Sequence, residues 1–308
     1  MDNTDLQTLR QANNSTDKKA FRFFVAGIAF AILWPSAATA GKIALESAQP
    51  FVISILRFFI GGLIMLVISH ILMRKRLPHK MEWKQLCIYG LLNISLYLGI
   101  YIVALQFVSP GLGSLAIATN PVLISLISTF ILKKPLKRKV LFSLALCLTG
   151  VLLAAWPLFA SSHATPGGLI LLMLSMLIYS LGVIYFSEKN WNDLHILTIN
   201  GWQTLLGGIF LLPVTAFTYS PAKNNLSLRF LGSILWLAIP VSIIAVQLWL
   251  YLLRDNAVKA SFWLFLCPIS GFVIASMMVN EPITIFTISG MLLVIFGLYI
   301  VQKRTSGD

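Results

Sequence analysis

SLAIATNPVLISLISTFILKKPL (Ser114 to Leu136) aligns without a gap on SFWLFLCPISGFVIASMMVNEPI (Ser261 to Ile283), at an offset of 147 residues. The same offset pairs Lys42 with Lys189, Gly61 with Gly208, Pro121 with Pro268, Pro135 with Pro282 and Gly150 with Gly297. Apolar segments share Leu and Ile by chance, but Pro and Gly repeating at one register mark a segment written twice.

Outward from that stretch, the 308 residues are 58% hydrophobic and only 11% charged, against roughly 25% charged in soluble chains. The apolar residues fall into ten blocks near 22–41, 50–72, 84–107, 111–132, 140–157, 168–187, 196–218, 229–252, 258–279 and 284–302. Each is close to the ~20 residues a helix needs to cross a bilayer. The expected fold is therefore an all-α integral membrane protein of ten transmembrane helices. Residues 1–20, polar and without apolar periodicity, read as a disordered cytoplasmic tail. Residues 21–157 form the first five-helix repeat, 158–167 an outer connecting loop, and 168–304 the second repeat. Five spans per repeat is an odd number, so the two copies are expected to face opposite ways, as inverted repeats. Ala38-Thr39-Ala40 resembles a signal-peptide cleavage site. Removing the first span would break the five-plus-five pattern, so it is expected to be retained.

The net charge of +13 invites a nucleic-acid reading, which its distribution excludes. With the N-terminus inside, Lys and Arg crowd the inner segments, in clusters such as Arg74 to Arg76 and Lys133 to Lys139. The outer loops hold only Lys42, Lys223 and Arg229. That asymmetry places both termini in the cytoplasm. Cys87, Cys147 and Cys267 all lie within spans, have no metal-ligand spacing and read as small apolar fillers. No Walker loop, dinucleotide fingerprint or HExxH occurs, so neither a cofactor nor a metal is expected, and an enzyme is not.

Pro121 and Pro268 fall near the middle of the fourth and ninth spans, where each removes a donor and frees the carbonyl four residues earlier. A freed carbonyl in lipid must be satisfied by protein, water or ligand, so these prolines are candidate cavity positions. Asn93, Tyr97 and Tyr101, four residues apart, share one face of the third span. Asn120, Tyr179, Gln247 and Trp263 complete the candidate substrate-binding set. For the amides, an interhelical hydrogen bond and a ligand contact are both open readings; for the aromatics, packing is the competing one. Arg57, the one cation clearly inside a span, is expected to snorkel or to pair with a helix C-terminus or Glu46. A carboxylate receptor is its functional alternative. Lys42 and Glu46, four apart, are a candidate pair. All ten acidic residues lie in tails, loops or span ends, which gives no support to a mid-membrane carboxylate as proton shuttle.

Taken together, the chain resembles the drug/metabolite transporter superfamily, in its EamA-type ten-helix branch, over nearly all of residues 22–304. The resemblance is carried by Trp34 and Lys42, by Arg57-Phe58 after Pro50, by Asn120-Pro121 and Cys267-Pro268 with a second proline fourteen residues on, and by Gly150 and Gly297. It implies a carrier of small metabolites, commonly amino acids or related compounds, often in the efflux direction, at the inner membrane of a cell. A central cavity between the halves is implied with it. The family often has an acidic residue before the second proline, as in Glu281-Pro282; the first copy has Lys134-Pro135. Expected partners are a small-molecule substrate and the lipid bilayer, with a homodimer left open and no nucleic acid. Two other readings remain: an exchanger of nucleotide-derived or sugar metabolites, and a non-transporting receptor or scaffold.

Overall fold

Hydrocarbon offers the backbone no hydrogen-bond partner, so each apolar block can cross it only as a helix. A computed structural model describes residues 3–131, 138–160, 163–255 and 257–302, and among them every regular element is helical. The helices are α1 (Asn3–Leu45), α2 (Pro50–Leu72), α3 (Lys80–Phe107), α4 (Pro110–Ile117 followed by Asn120–Ile131) and α5 (Arg138–Ala160). The second half continues with α6 (Pro166–Glu188), α7 (Ile196–Thr218), α8 (Leu228–Leu252), α9 (Ala257–Val279) and α10 (Ile285–Gln302). Seven are long and apolar enough to cross a membrane unaided, the bent pair of α4 makes an eighth, and α9 and α10 supply shorter apolar stretches. The protein is thus a multi-pass membrane protein whose helices account for the ten expected spans. Lys134 and Pro135, the divergent pair of the first copy, lie outside the described residues.

Local sequence explains where the helices start. Pro50, Pro110 and Pro166 sit in first turns, where the missing N–H costs nothing. Ser109, Thr165 and Ser227 precede their helices, and each hydroxyl accepts a hydrogen bond from the backbone N–H three residues on. Helix α1 begins at Asn3, inside the segment read as a disordered tail. Residues 3–20 contain neither Gly nor Pro, so nothing interrupts a helix propagating from the apolar part, Phe21–Leu45. Large apolar side chains such as Leu152, Trp156, Ile170 and Phe217 are exposed and form the lipid-facing surface.

The halves pack by exchange. Helix α1 lies against α9 as α6 lies against α4, and α3 meets α6 as α8 meets α1. Two contacts join repeat partners, α2 with α7 and α5 with α10. Both depend on glycine, because packing in lipid gains only from close approach. A Cβ on Gly150 would stand 2.6 Å from the Gly290 carbonyl oxygen, and one on Gly290 only 2.4 Å from that of Gly150. In the α2–α7 contact, Gly62 faces the Gly201 carbonyl and Leu205, while Gly208 faces Phe58 and Phe59.

Two departures from regular helix shape the interior. Helix α4 breaks at Ala118 and Thr119 with a 44° bend, and Thr119 Oγ1 donates back to the Ala116 carbonyl. Pro121 therefore falls in the first turn of the second piece, whereas Pro268 sits inside an unbroken α9. The matched prolines do not produce matched breaks. The matched irregularity lies in α3 and α8, as π-helical turns at Leu91–Leu96 and Leu237–Ala245. In each, a serine hydroxyl faces the carbonyl five residues earlier: Ser242 donates to Leu237 at 2.8 Å, while Ser95 lies 3.4 Å from Gly90 and donates to the Gly207 carbonyl at 2.8 Å. The two serines are repeat partners at the same offset of 147.

The α5–α10 contact gives a direct check. Gly150→Leu is expected to cost about 1–3 kcal/mol of stability through overpacking, read as a lower midpoint of thermal unfolding in detergent. Gly232→Ala, where a Cβ would meet nothing within 4 Å, should leave the midpoint unchanged. Equal midpoints for both variants would contradict this account of the contact.

Candidate functional site: an enclosed cavity between the halves

The π-helical turns widen α3 and α8 where they face α2 and α7. There the protein encloses a cavity of about 90 Å³, room for several waters or a small solute. Its wall takes Arg57 and Phe58 from α2, Asn93, Tyr97 and Tyr101 from α3, and Asn200, Gln203 and Thr204 from α7. Trp34, Ile117, Tyr179 and Ser242 add groups from α1, α4, α6 and α8. Both halves contribute, and two pairs of lining residues are related by the repeat, Arg57 with Thr204 and Ile94 with Val241, while the partner of Ser242 is the buried Ser95.

The polar groups form two sets. Arg57 Nε donates to Ser242 Oγ at 3.0 Å, and the guanidinium lies 5.6 Å from the centre of the Phe58 ring. Asn93 Nδ2 donates to Gln203 Oε1 at 3.1 Å, and Gln203 Nε2 donates to Asn200 Oδ1. This relay fixes both amides, leaving Asn93 Oδ1 buried without a protein partner among the described residues. The Tyr101 hydroxyl is likewise buried and unpartnered. The Tyr97 and Tyr179 rings stand 4.8 Å apart on the apolar side.

Of the residues singled out from sequence, Asn93, Tyr97, Tyr101 and Tyr179 line this cavity and the other five do not. Asn120 is buried at the break in α4 with Oδ1 unpartnered, and Pro121 opens the following helix. Gln247 is partly buried on α8, its Nε2 without a partner among the described residues. Trp263 packs edge-on against Phe24 and over Gly27, and Pro268 is buried within α9. Arg57 has a different place from the one expected. Glu46 pairs with Arg229 at 2.8 Å, and Arg57 turns inward to the cavity with no carboxylate beside it among the described residues. Lys42 does not pair with Glu46 either. Its Nζ donates to the carbonyls of Leu105 and Val108 at 2.7 and 3.0 Å, closing the C-terminal end of α3.

Contacts between the halves shut the bundle at both ends. At the end carrying Lys42, Glu281 is buried and reaches across to the start of α4. Its Oε1 accepts from Ser109 Oγ at 2.5 Å and its Oε2 from the Gly111 N–H at 2.8 Å. Gly111 is needed there, since a Cβ would lie 2.6 Å from Glu281 Oε1 and 2.3 Å from the Phe272 ring. Gln49 adds bonds to Thr218, Ser220 and Asn224 at the same end. At the opposite end, Arg76 holds Glu82 through both carboxylate oxygens at 2.8 Å and also holds Asp193 at 2.8 Å. Asn192, in the left-handed region at φ 48°, donates to Glu82 as well. The hydrogen bond from Arg76 holds the Asp193 carboxyl below its ordinary range.

This architecture is that of a polytopic membrane protein built from a duplicated five-helix unit around an internal cavity with a few polar groups in a mostly apolar wall. The sequence profile of the EamA-like transporter family matches the chain twice, over residues 22–156 and 166–302, and the chain belongs to that family. It is a membrane transporter, and the family implies a small-molecule substrate. Among curated relatives, the Bacillus subtilis protein called uncharacterized transporter YvbV is 25% identical, over 91% of this chain and 90% of its own length. Protein PecM of Dickeya dadantii is 26% identical, covering 84% of each chain. A solved crystal structure superposes with a TM-score of 0.62 at 17% identity, over 91% of this chain and 96% of that one. That likeness concerns the fold.

The Glu281 contact carries a pH dependence. Burial pushes its carboxyl above the ordinary range, against the hydrogen bonds from Ser109 and Gly111 and the charges of His163 and Lys42. A carboxyl raised in the closed form binds its proton more tightly there than when exposed, so acid favours closure and deprotonation favours opening. Glu281→Gln mimics the protonated group. At neutral pH, amides of residues 107–113 should exchange hydrogen more slowly in Glu281→Gln than in the wild type. The difference should shrink at mildly acidic pH; equal exchange at both pH values would refute the assignment.

Proposed function

We propose that the protein moves small metabolites, amino acids or related compounds, by alternating access around the enclosed cavity. One observation carries this reading: the cavity is walled by matching helices of both halves and tied shut at both ends by contacts between them. Rocking one half against the other would break one set of ties while keeping the other. A non-transporting receptor or scaffold has no use for two exchangeable seals.

The polarity of the seals follows from charge. On the positive-inside rule both termini are cytoplasmic, so Arg76, Glu82 and Asp193 form the inner seal and Lys42 and Glu281 the outer one. Each half then crosses the membrane in the opposite sense, as inverted repeats do. A cell inner membrane and the outward direction of transport follow the resemblance described for the sequence. No carboxylate lines the cavity among the described residues, which argues against a lipophilic-cation pump and agrees with solutes that carry their own negative group.

Reconstitution into proteoliposomes tests the reading. Labelled amino acids, nucleosides, sugars and a lipophilic cation would each be offered for counterflow. Saturable exchange is expected for amino acids and not for the cation. No flux of any solute through well-folded protein would sink the carrier reading. Preference for nucleosides or sugars would keep the carrier and replace the substrate.

A further inference from the structure

We propose that Arg57 is the receptor for a carboxylate on the transported solute, and that Asn93 receives a hydrogen-bond donor on that same solute. The proposal rests on the transporter reading above and adds to it the chemistry the solute must bring.

The argument starts from charge. A guanidinium is always protonated and carries five N–H donors in a planar fork. Arg57 commits Nε to Ser242 and has no other hydrogen-bond partner among the described residues. The Phe58 ring and the tyrosines Tyr97 and Tyr101 of α3 also stand beside it. A half-buried cation in a mostly apolar wall is stabilised by a counter-charge, and the fork matches the two oxygens of a carboxylate. Phosphate offers the same geometry but two negative charges. No Lys, His or second Arg lines the cavity among the described residues, so one cation stands ready for one anion.

The second requirement comes from the amides. Asn93 Nδ2 gives one of its two N–H donors to Gln203, which turns the amide so that Oδ1 is left as an acceptor without a partner among the described residues. A donor on the solute, an ammonium or an amide N–H, would satisfy it. The rings of Tyr97, Tyr179 and Trp34 leave an apolar wall for the body of the solute, and their faces also attract an ammonium. The repeat makes the receptor one-sided. Its partner position holds Thr204, so a single half carries the anion-binding charge and the solute has one favoured orientation.

The test uses the full chain in detergent with defined probes: L-phenylalanine, phenylalaninamide, phenethylamine and 3-phenylpropionate. Binding measured by isothermal titration is expected to be tightest for phenylalanine, intermediate for 3-phenylpropionate and weakest for the two amines. Arg57→Ala should weaken phenylalanine by more than about tenfold while leaving phenethylamine unchanged, and Arg57→Lys should recover part of the loss. Asn93→Leu should erase the advantage of phenylalanine over 3-phenylpropionate. If Arg57→Ala does not fold, the probe ranking on the wild type and the Ser242→Ala variant, which frees Nε, decide the matter. Equal binding of amide and acid, unchanged phenylalanine binding in a folded Arg57→Ala, or no binding of either carboxylate would overturn the proposal. Carboxylate-dependent binding without flux would instead sink the carrier reading and leave this receptor standing. Flux indifferent to the carboxylate would do the reverse.

Discussion

Hydrocarbon tolerates no unsatisfied peptide group, and everything distinctive in this protein is a way of meeting that demand while leaving regular helix. A π-helical turn inserts one residue and strands a carbonyl. In α8 Ser242 reaches back five residues to take it at 2.8 Å; in α3 Ser95 lies 3.4 Å from the matching Gly90 carbonyl but gives its single proton to the Gly207 carbonyl of α7 at 2.8 Å. The bulges aim side chains of α3 and α8 at α2 and α7. Such turns are common at functional sites. Here they occur at repeat-matched positions, so the duplication has preserved the device itself along with the helices around it.

A cation inside this framework is expensive unless something shares its charge. Arg57 keeps its place because close packing of α2 against α7 leaves it nowhere else to go. Gly62, Gly201 and Gly208 bring the two backbones together, Gly61 lets α8 approach at Ala238, and Arg57 projects from these contacts into the cavity. Ser242 then orients it, using an oxygen whose own proton is committed to the Leu237 carbonyl. One hydroxyl thus joins the backbone repair of α8 to the electrostatics of the site.

The helical architecture was legible because its signals are local and additive: block length, charge asymmetry and the fixed register of Pro and Gly. The cavity was legible in part. Asn93, Tyr97 and Tyr101 announce a shared face through their spacing, and the structure puts that face on the cavity. The prolines pointed elsewhere. A Pro marks a lost hydrogen bond but not how the loss is absorbed, and Pro121 avoids it by starting a new helix segment. The turns that matter contain no proline in α3, so no breaker residue advertised them. The available signal was the match of Ser95 with Ser242, two modest residues in apolar surroundings. For Arg57 the sequence leaves both a structural role and a carboxylate receptor open, because the direction of one long side chain depends on which faces of α2 meet α7 and α8. That is settled by glycines on α2 and α7 together, not by Arg57's neighbours in sequence.

The backbones of the halves are alike, yet the two seals are chemically unlike. At one end Arg76 binds Glu82 and Asp193, and the Asp193 side chain is 82% exposed, so that arm of the network is weakened by water and salt. At the other end Glu281 is buried and is held mainly by Ser109 and a backbone N–H at the start of a helix. Opening the first end parts charges that water readily solvates. Opening the second exposes a carboxyl that gains hydration and uncovers the start of α4, whose donors must then find water. Under the alternating-access proposal, unequal seals would let a few polar residues at the ends set the resting bias, and substitutions there would shift it without touching the cavity.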